Sequence, residues 1–127
     1  MKLAHASIVT NDVPGLSRLY KEVTRMAPSG DDVYFEFHAP ALTPATSSQK
    51  IIDRHGAGAT MPRVNRSVIL DFEVEDVDEE RARLENIVRE FVLEPTTQPW
   101  GYQAMLFRDP DGNLVNMFAV PRAPAKA

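Results

Sequence analysis

Few residues in this chain have chemical reach. Three are imidazoles, which move protons near neutral pH or ligate metals: His5, His38 and His55. His5 stands in the run Leu3-Ala4-His5-Ala6-Ser7-Ile8-Val9, an opening strand pattern. His38 shares a strand face with Tyr34 and Glu36, where a His/Glu pair is conceivable and an exposed face is the plainer alternative. His55 sits in a glycine-bearing loop and carries little information. Asp71 and Glu73 alternate with Val68, Leu70, Phe72 and Val74. If that apolar set packs beneath helices, Ile69, Asp71 and Glu73 face the other way. Two carboxylates on such a face favour a cationic or hydrogen-bond-donating ligand; the alternative is a solvated strand face. Trp100, the only tryptophan, is followed closely by Tyr102. Stacking adds energy beyond area burial, so the pair is a candidate ligand contact, and the alternative is packing on its own hairpin or on a second copy of the chain.

Other chemistries are excluded. With no cysteine there is no disulfide, thiolate metal site or thiol nucleophile. Gly56-Ala57-Gly58 lacks the further glycine and helix of a phosphate cradle, and no Gly-x-Ser-x-Gly elbow occurs. A net charge of −4 without a basic block argues against nucleic acid as a partner. No stretch reaches the length of a membrane span, and no long apolar leader core is found, so a cytoplasmic protein is expected. The charged run from Asp76 to Arg83 reads as a solvated helix face.

An internal repeat organises the elements that must hold these residues. Leu3 to Val13 reads as a strand ending in an acidic turn, and Ser67 to Val77 reads the same way 64 residues later. A helix follows each, with apolar stripes Leu16, Leu19, Tyr20, Val23 and Leu84, Ile87, Val88. Asp12 caps the first, with Pro14 in its opening turn, and Asp76 with Glu79 has capping-box spacing. Strands follow: Val33 to His38, with Val33, Phe35 and Phe37 on one face, then Tyr102 to Phe107 and Leu114 to Val120 around the turn Asp109-Pro110-Asp111-Gly112-Asn113. Residues 39–66 read as an irregular strand and a long connection. One domain is expected over 1–121, in two halves of about 1–60 and 66–121, followed by a disordered tail at 122–127.

Lys2-Leu3-Ala4-His5 with Asp12, the hairpin lead Gln98-Pro99-Trp100-Gly101-Tyr102 and the run Phe107 to Asn113 resemble the glyoxalase/bleomycin-resistance/dioxygenase (vicinal oxygen chelate) superfamily over about residues 1–121. The first helix departs from that pattern, with Thr24-Arg25 where the family usually has Leu-Gly. The resemblance implies an α+β fold of two βαβββ modules forming a curved half-barrel cup with helices outside, usually dimeric. It implies a divalent metal held by a His on each opening strand and a carboxylate on each closing strand. Here His5 fills the first place, Ile69 and Asn116 stand at two others, and no acidic residue lies between Thr43 and Gln49. His5 is expected to stay as a hydrogen-bonded or ligand-contacting residue, Ser7 to share its face, and Asn116 to face the cup opposite Val115 and Met117. The expected function is metal-free binding of a small organic molecule by a homodimer, through His5, Ser7, Asp71, Glu73, Trp100, Tyr102 and Asn116. The alternatives are a lyase, isomerase or dioxygenase with an atypical metal site or with His5 or Asp71 as a metal-free base, and a homodimeric interaction module without ligand.

Overall fold

The computed structural model describes residues 1–37 and 42–121; the expectations for His38 and for the tail at 122–127 lie outside the described residues. The chain divides into two compact units, Met1–Asn65 and Arg66–Ala127, each built as strand, helix and three strands. This is an α+β fold of two βαβββ modules.

In the first unit β1 (His5–Thr10) leads to α1 (Val13–Thr24), β2 (Pro28–Gly30), β3 (Tyr34–Phe37) and β4 (Thr43–Ser48), and then to α2 (Gln49–Gly56). The sheet order is β1-β4-β3-β2, with β1 and β4 parallel and the other pairs antiparallel. A parallel pair needs a crossover, and α1 lies within it. Asp12 caps α1 by accepting the Gly15 N–H at 3.0 Å. A Cβ at Gly15 would stand 2.1 Å from that carboxylate, so a larger residue here would have to turn the Asp12 side chain aside. Val13, Leu16, Ser17, Tyr20 and Val23 form the buried side of α1, the 3.6-residue stripe expected of a helix lying on a sheet. Tyr20 meets Phe37 with ring centroids 6.4 Å apart, and the Ser17 and Thr46 hydroxyls satisfy each other at 2.8 Å in the core.

The second unit repeats the plan with β5 (Ile69–Glu73), α3 (Val77–Arg83), β6 (Glu90–Thr97), β7 (Gln103–Arg108) and β8 (Leu114–Ala119), in the order β5-β8-β7-β6. Val77, Leu84, Met105, Phe107, Val115 and Met117 are its core. The β7–β8 turn is built on Asp109. The Asp111 and Asn113 N–H groups donate to its Oδ1 at 2.9 Å, and Asn113 Nδ2 donates to its Oδ2 at 2.8 Å. Gly112 supplies the positive φ of 85° that this turn needs. Arg81 ties α3 to β6: it lies 3.7 Å over the Phe91 ring and pairs with Glu94 and Glu85. Those bonds raise the Arg81 pKa and hold the Glu94 carboxyl below its ordinary value.

Three expectations need correction. Residues 49–56 form a helix, capped by Ser48 accepting the Lys50 N–H, within a stretch expected to hold an irregular strand and a long connection but no helix. The stripe Leu84, Ile87, Val88 is not helical, because α3 ends at Arg83. Turns closed on the Leu84 carbonyl by Ile87 and Val88 N–H groups carry Leu84 and Val88 into the core instead. Val33 and Val68 precede their strands and are exposed rather than packed with the apolar set.

The departure at Thr24-Arg25 now has a physical meaning. Arg25 is the C-terminal cap of α1 in the left-handed conformation, φ 56°, its N–H donating to the Lys21 carbonyl at 2.9 Å. That place favours glycine, and an L side chain there is strained. Because Arg25 is exposed, Arg25→Gly is expected to stabilise the protein by about 0.5–1 kcal/mol, the strain relief exceeding the added freedom of the unfolded chain. Urea unfolding with an unchanged m-value and a raised midpoint checks this.

Candidate functional site

Strand registers decide which side chains share a surface. In the first unit the Ser17–Thr46 bond places Thr46 towards α1, together with its partners Ile8 and Phe35. Alternation turns Ser7, Ala45 and Glu36 to the far face, and with them His5, Thr43, Ser47 and Tyr34. On that face His5 Nε2 stands 2.9 Å from Glu36 Oε2, and the Tyr34 hydroxyl donates to the same oxygen at 3.2 Å. The side chains of His5 and Glu36 are 46% and 26% exposed, so the cluster is accessible. Burial raises the Tyr34 pKa above its ordinary value, and the neighbouring Glu36 charge and hydrogen bond raise it further. Ser7 is exposed beside His5.

In the second unit Phe91, Phe107, Val115 and Leu70 form one row on the α3 side. The next row, on the far face, is Leu93, Leu106, Asn116 and Asp71. Asn116 Nδ2 donates to Asp71 Oδ1 at 2.9 Å, and Asn116 Oδ1 is buried without a hydrogen-bond partner among the described residues. Glu73 is paired with Phe118 one row further along, and Phe118 stacks with Tyr102, centroids 5.9 Å apart and planes 7° from parallel. Trp100 is 67% exposed in the β6–β7 connection, where Gly101 N–H donates to Gln98 and Gln98 N–H to Tyr102. Asp71, Glu73, Asn116 and Tyr102 thus gather on or beside one face, while Trp100 stands out from it. His5 and Ser7 belong to the first unit.

The family model of the Glyoxalase/Bleomycin resistance protein/Dioxygenase superfamily matches residues 2–117. The chain belongs to that superfamily. Solved structures with the same fold include a glyoxalase/bleomycin resistance protein/dioxygenase family enzyme from Burkholderia phytofirmans PsJN (14% identity, 95% of this chain and 100% of that one, TM-score 0.84). A glyoxalase-related enzyme from Fulvimarina pelagi is 19% identical over 100% of this chain and 94% of that one, with a TM-score of 0.81. A lactoylglutathione lyase from Agrobacterium tumefaciens is 18% identical over 91% of each chain, with a TM-score of 0.71. No curated protein sequence matches.

The superfamily's metal can be tested against the residues present. Ser7 pairs with Ala45 as Asp71 pairs with Asn116, so Ala45 occupies the first module's carboxylate place. The four places hold His5, Ala45, Ile69 and Asn116: one imidazole, one carboxamide and two alkyl groups. That donor set does not fit a divalent cation, which takes imidazole and carboxylate. Among the described residues no group of three or more His, Cys, Asp or Glu could hold one.

Two participants escaped the sequence reading. Phe118 follows from parity with Asn116, two residues before it on β8. Glu36 was visible as a strand neighbour of Tyr34, but its pairing with His5 depends on β4 lying between β1 and β3, a long-range register that local pattern does not carry. Since burial raises the Tyr34 pKa and the Glu36 charge and hydrogen bond raise it further, Glu36→Gln is expected to lower the Tyr34 pKa without returning it fully to the ordinary value. Ultraviolet difference titration against Tyr34→Phe measures this.

Proposed function

We propose that this protein binds a small organic molecule on the far faces of its sheets, without a divalent metal, as a homodimer in the cytoplasm. One observation carries the reading: the Asp71–Asn116 pair on an accessible sheet face, with Glu73 alongside and the Tyr102–Phe118 stack in the next row. Carboxylates beside aromatic planes suit a flat ligand bearing a cationic or hydrogen-bond-donating group. The superfamily's metal places, filled by Ala45, Ile69 and Asn116 besides His5, support the metal-free part. A cysteine-free chain with no helix among the described residues long and apolar enough to cross a membrane is compatible with the compartment.

The test is a melting-shift screen with planar cations, paired with elemental analysis of the purified protein. A hit is expected to bind more weakly by about 1–3 kcal/mol in Tyr102→Ala or Trp100→Ala. Asp71→Asn should also weaken it, with less effect at high salt. About one tightly held Ni, Zn, Fe or Mn per chain, lost in His5→Ala, would overturn the metal-free reading. The dimer is supported by outer strand β5, which begins with exposed Ile69, because open edges are usually paired or covered. Light scattering at micromolar concentration should give twice the chain mass of 14.2 kDa, and a monomeric mass would refute the dimer. The second reading, an enzyme of the lyase, isomerase or dioxygenase type, is favoured by one observation, the His5–Glu36–Tyr34 cluster.

A further inference from the structure

We propose that His5, Glu36 and Tyr34 make the far face of the first unit a metal-free proton-transfer site, with His5 Nδ1 as the base towards a weak carbon or oxygen acid. The inference rests on the metal-free reading above, since a cation on His5 would take a ring lone pair.

The geometry sets the tautomer. Glu36 Oε2 lies 2.9 Å from His5 Nε2. A carboxylate only accepts, so the proton of that bond belongs to Nε2, and the neutral ring carries its free lone pair on Nδ1. Among the described residues nothing hydrogen-bonds Nδ1, and nearly half of the side chain is exposed, so an incoming acid has access to it. Glu36 is itself oriented, because the Tyr34 hydroxyl donates to the same oxygen at 3.2 Å. The raised pKa of Tyr34 keeps that hydroxyl protonated as a donor. Glu36 and Tyr34 are positioning residues: one aims the imidazole, the other aims the carboxylate.

The step balances without a co-reactant. Nδ1 takes the proton of X–H, and the X–H electron pair stays on X as an anion. The ring becomes imidazolium, and the Glu36 charge at Nε2–H stabilises it. The proton then returns to another face of X or passes to solvent. This is the chemistry of an isomerisation, an epimerisation or an elimination, in which a proton leaves carbon and no electrons are gained or lost.

A structural ion pair would present the same coordinates, so the test reads properties such a pair does not need. The first measurement is ring nitrogen and proton NMR of the full chain, assigned with His5→Gln. We expect the Nε2–H tautomer with a downfield, hydrogen-bonded Nε2–H proton, lost in Glu36→Ala and displaced in Tyr34→Phe. The second uses 5-nitrobenzisoxazole as a probe of base strength. Nδ1 takes its ring C–H proton, the C–H pair forms the nitrile, and the N–O bond breaks with its pair on oxygen, which opens the ring to a single cyanophenolate. We expect kcat/KM to fall at least about tenfold in His5→Gln and several-fold in Glu36→Gln, with melting temperatures showing both variants folded. An Nδ1–H tautomer in metal-free protein, or probe turnover unchanged by His5→Gln, would overturn this proposal alone. Metal bound through His5 would overturn it together with the metal-free reading.

Discussion

A sheet with one helix on it has two faces, and side-chain alternation makes them inseparable. Every residue that packs beneath α1 or α3 fixes its neighbours on the opposite side. In the second unit Phe107 and Val115 are fully buried on the α3 side. Losing a side chain of the Phe107 kind costs about 3–5 kcal/mol. The Asp71–Asn116 hydrogen bond on the other face contributes about 0.5–1.5 kcal/mol. The core therefore sets the register, and the far-face residues follow it. A slip of one residue would exchange Asp71 for Leu70 and bury a carboxylate, which the core would not tolerate. This separation of duties lets far-face residues change while the fold persists, in keeping with relatives that share the fold at 14–19% identity.

Short-range polar devices start and stop the elements that the core aligns. Asp12 and Asp76 begin α1 and α3 by accepting N–H groups three residues on. Asp109 closes the β7–β8 hairpin with both carboxylate oxygens occupied. Arg81 spans α3 and β6 with a face-on contact to Phe91 and two carboxylate partners, combining packing of its stem with charge. Arg25 is the exception among these devices, a left-handed cap without the glycine that would make it strain-free.

What could be read from the sequence was what repeats or alternates. The 64-residue offset located β1 and β5, and the hairpin motif located β7 and β8. The alternation Leu70-Asp71-Phe72-Glu73 set the faces of β5, and the exposure pattern along the strand matches it. Short elements were harder. Helix α2 has eight residues, and its apolar content is the single pair Ile51-Ile52, too little for a periodic stripe. The stripe at Leu84, Ile87 and Val88 has helical spacing, yet successive turns satisfy the same spacing without a continuous helix. The pairing of His5 with Glu36 lay beyond local pattern altogether, because it needs three strands in the right order. Phe118 lay within reach of parity but is an ordinary apolar residue, and nothing local marks it as a stacking partner for Tyr102.

The parallel strand pairs have a kinetic side. In each unit the first strand joins its sheet only through the last: residue 5 meets residue 43, and residue 69 meets residue 114. These are the most distant pairings in each module, so their loop-closure entropy must be met before their contacts are gained. β1 and β5 should therefore zip on last in refolding and detach first in native-state hydrogen exchange. His5 and Asp71 stand on those two strands, while Glu36 and Asn116 stand on strands already inside the sheet. Each polar pair is thus a clasp across the seam that closes last, and a ligand gripping both members would slow the peeling of the strand that carries the first.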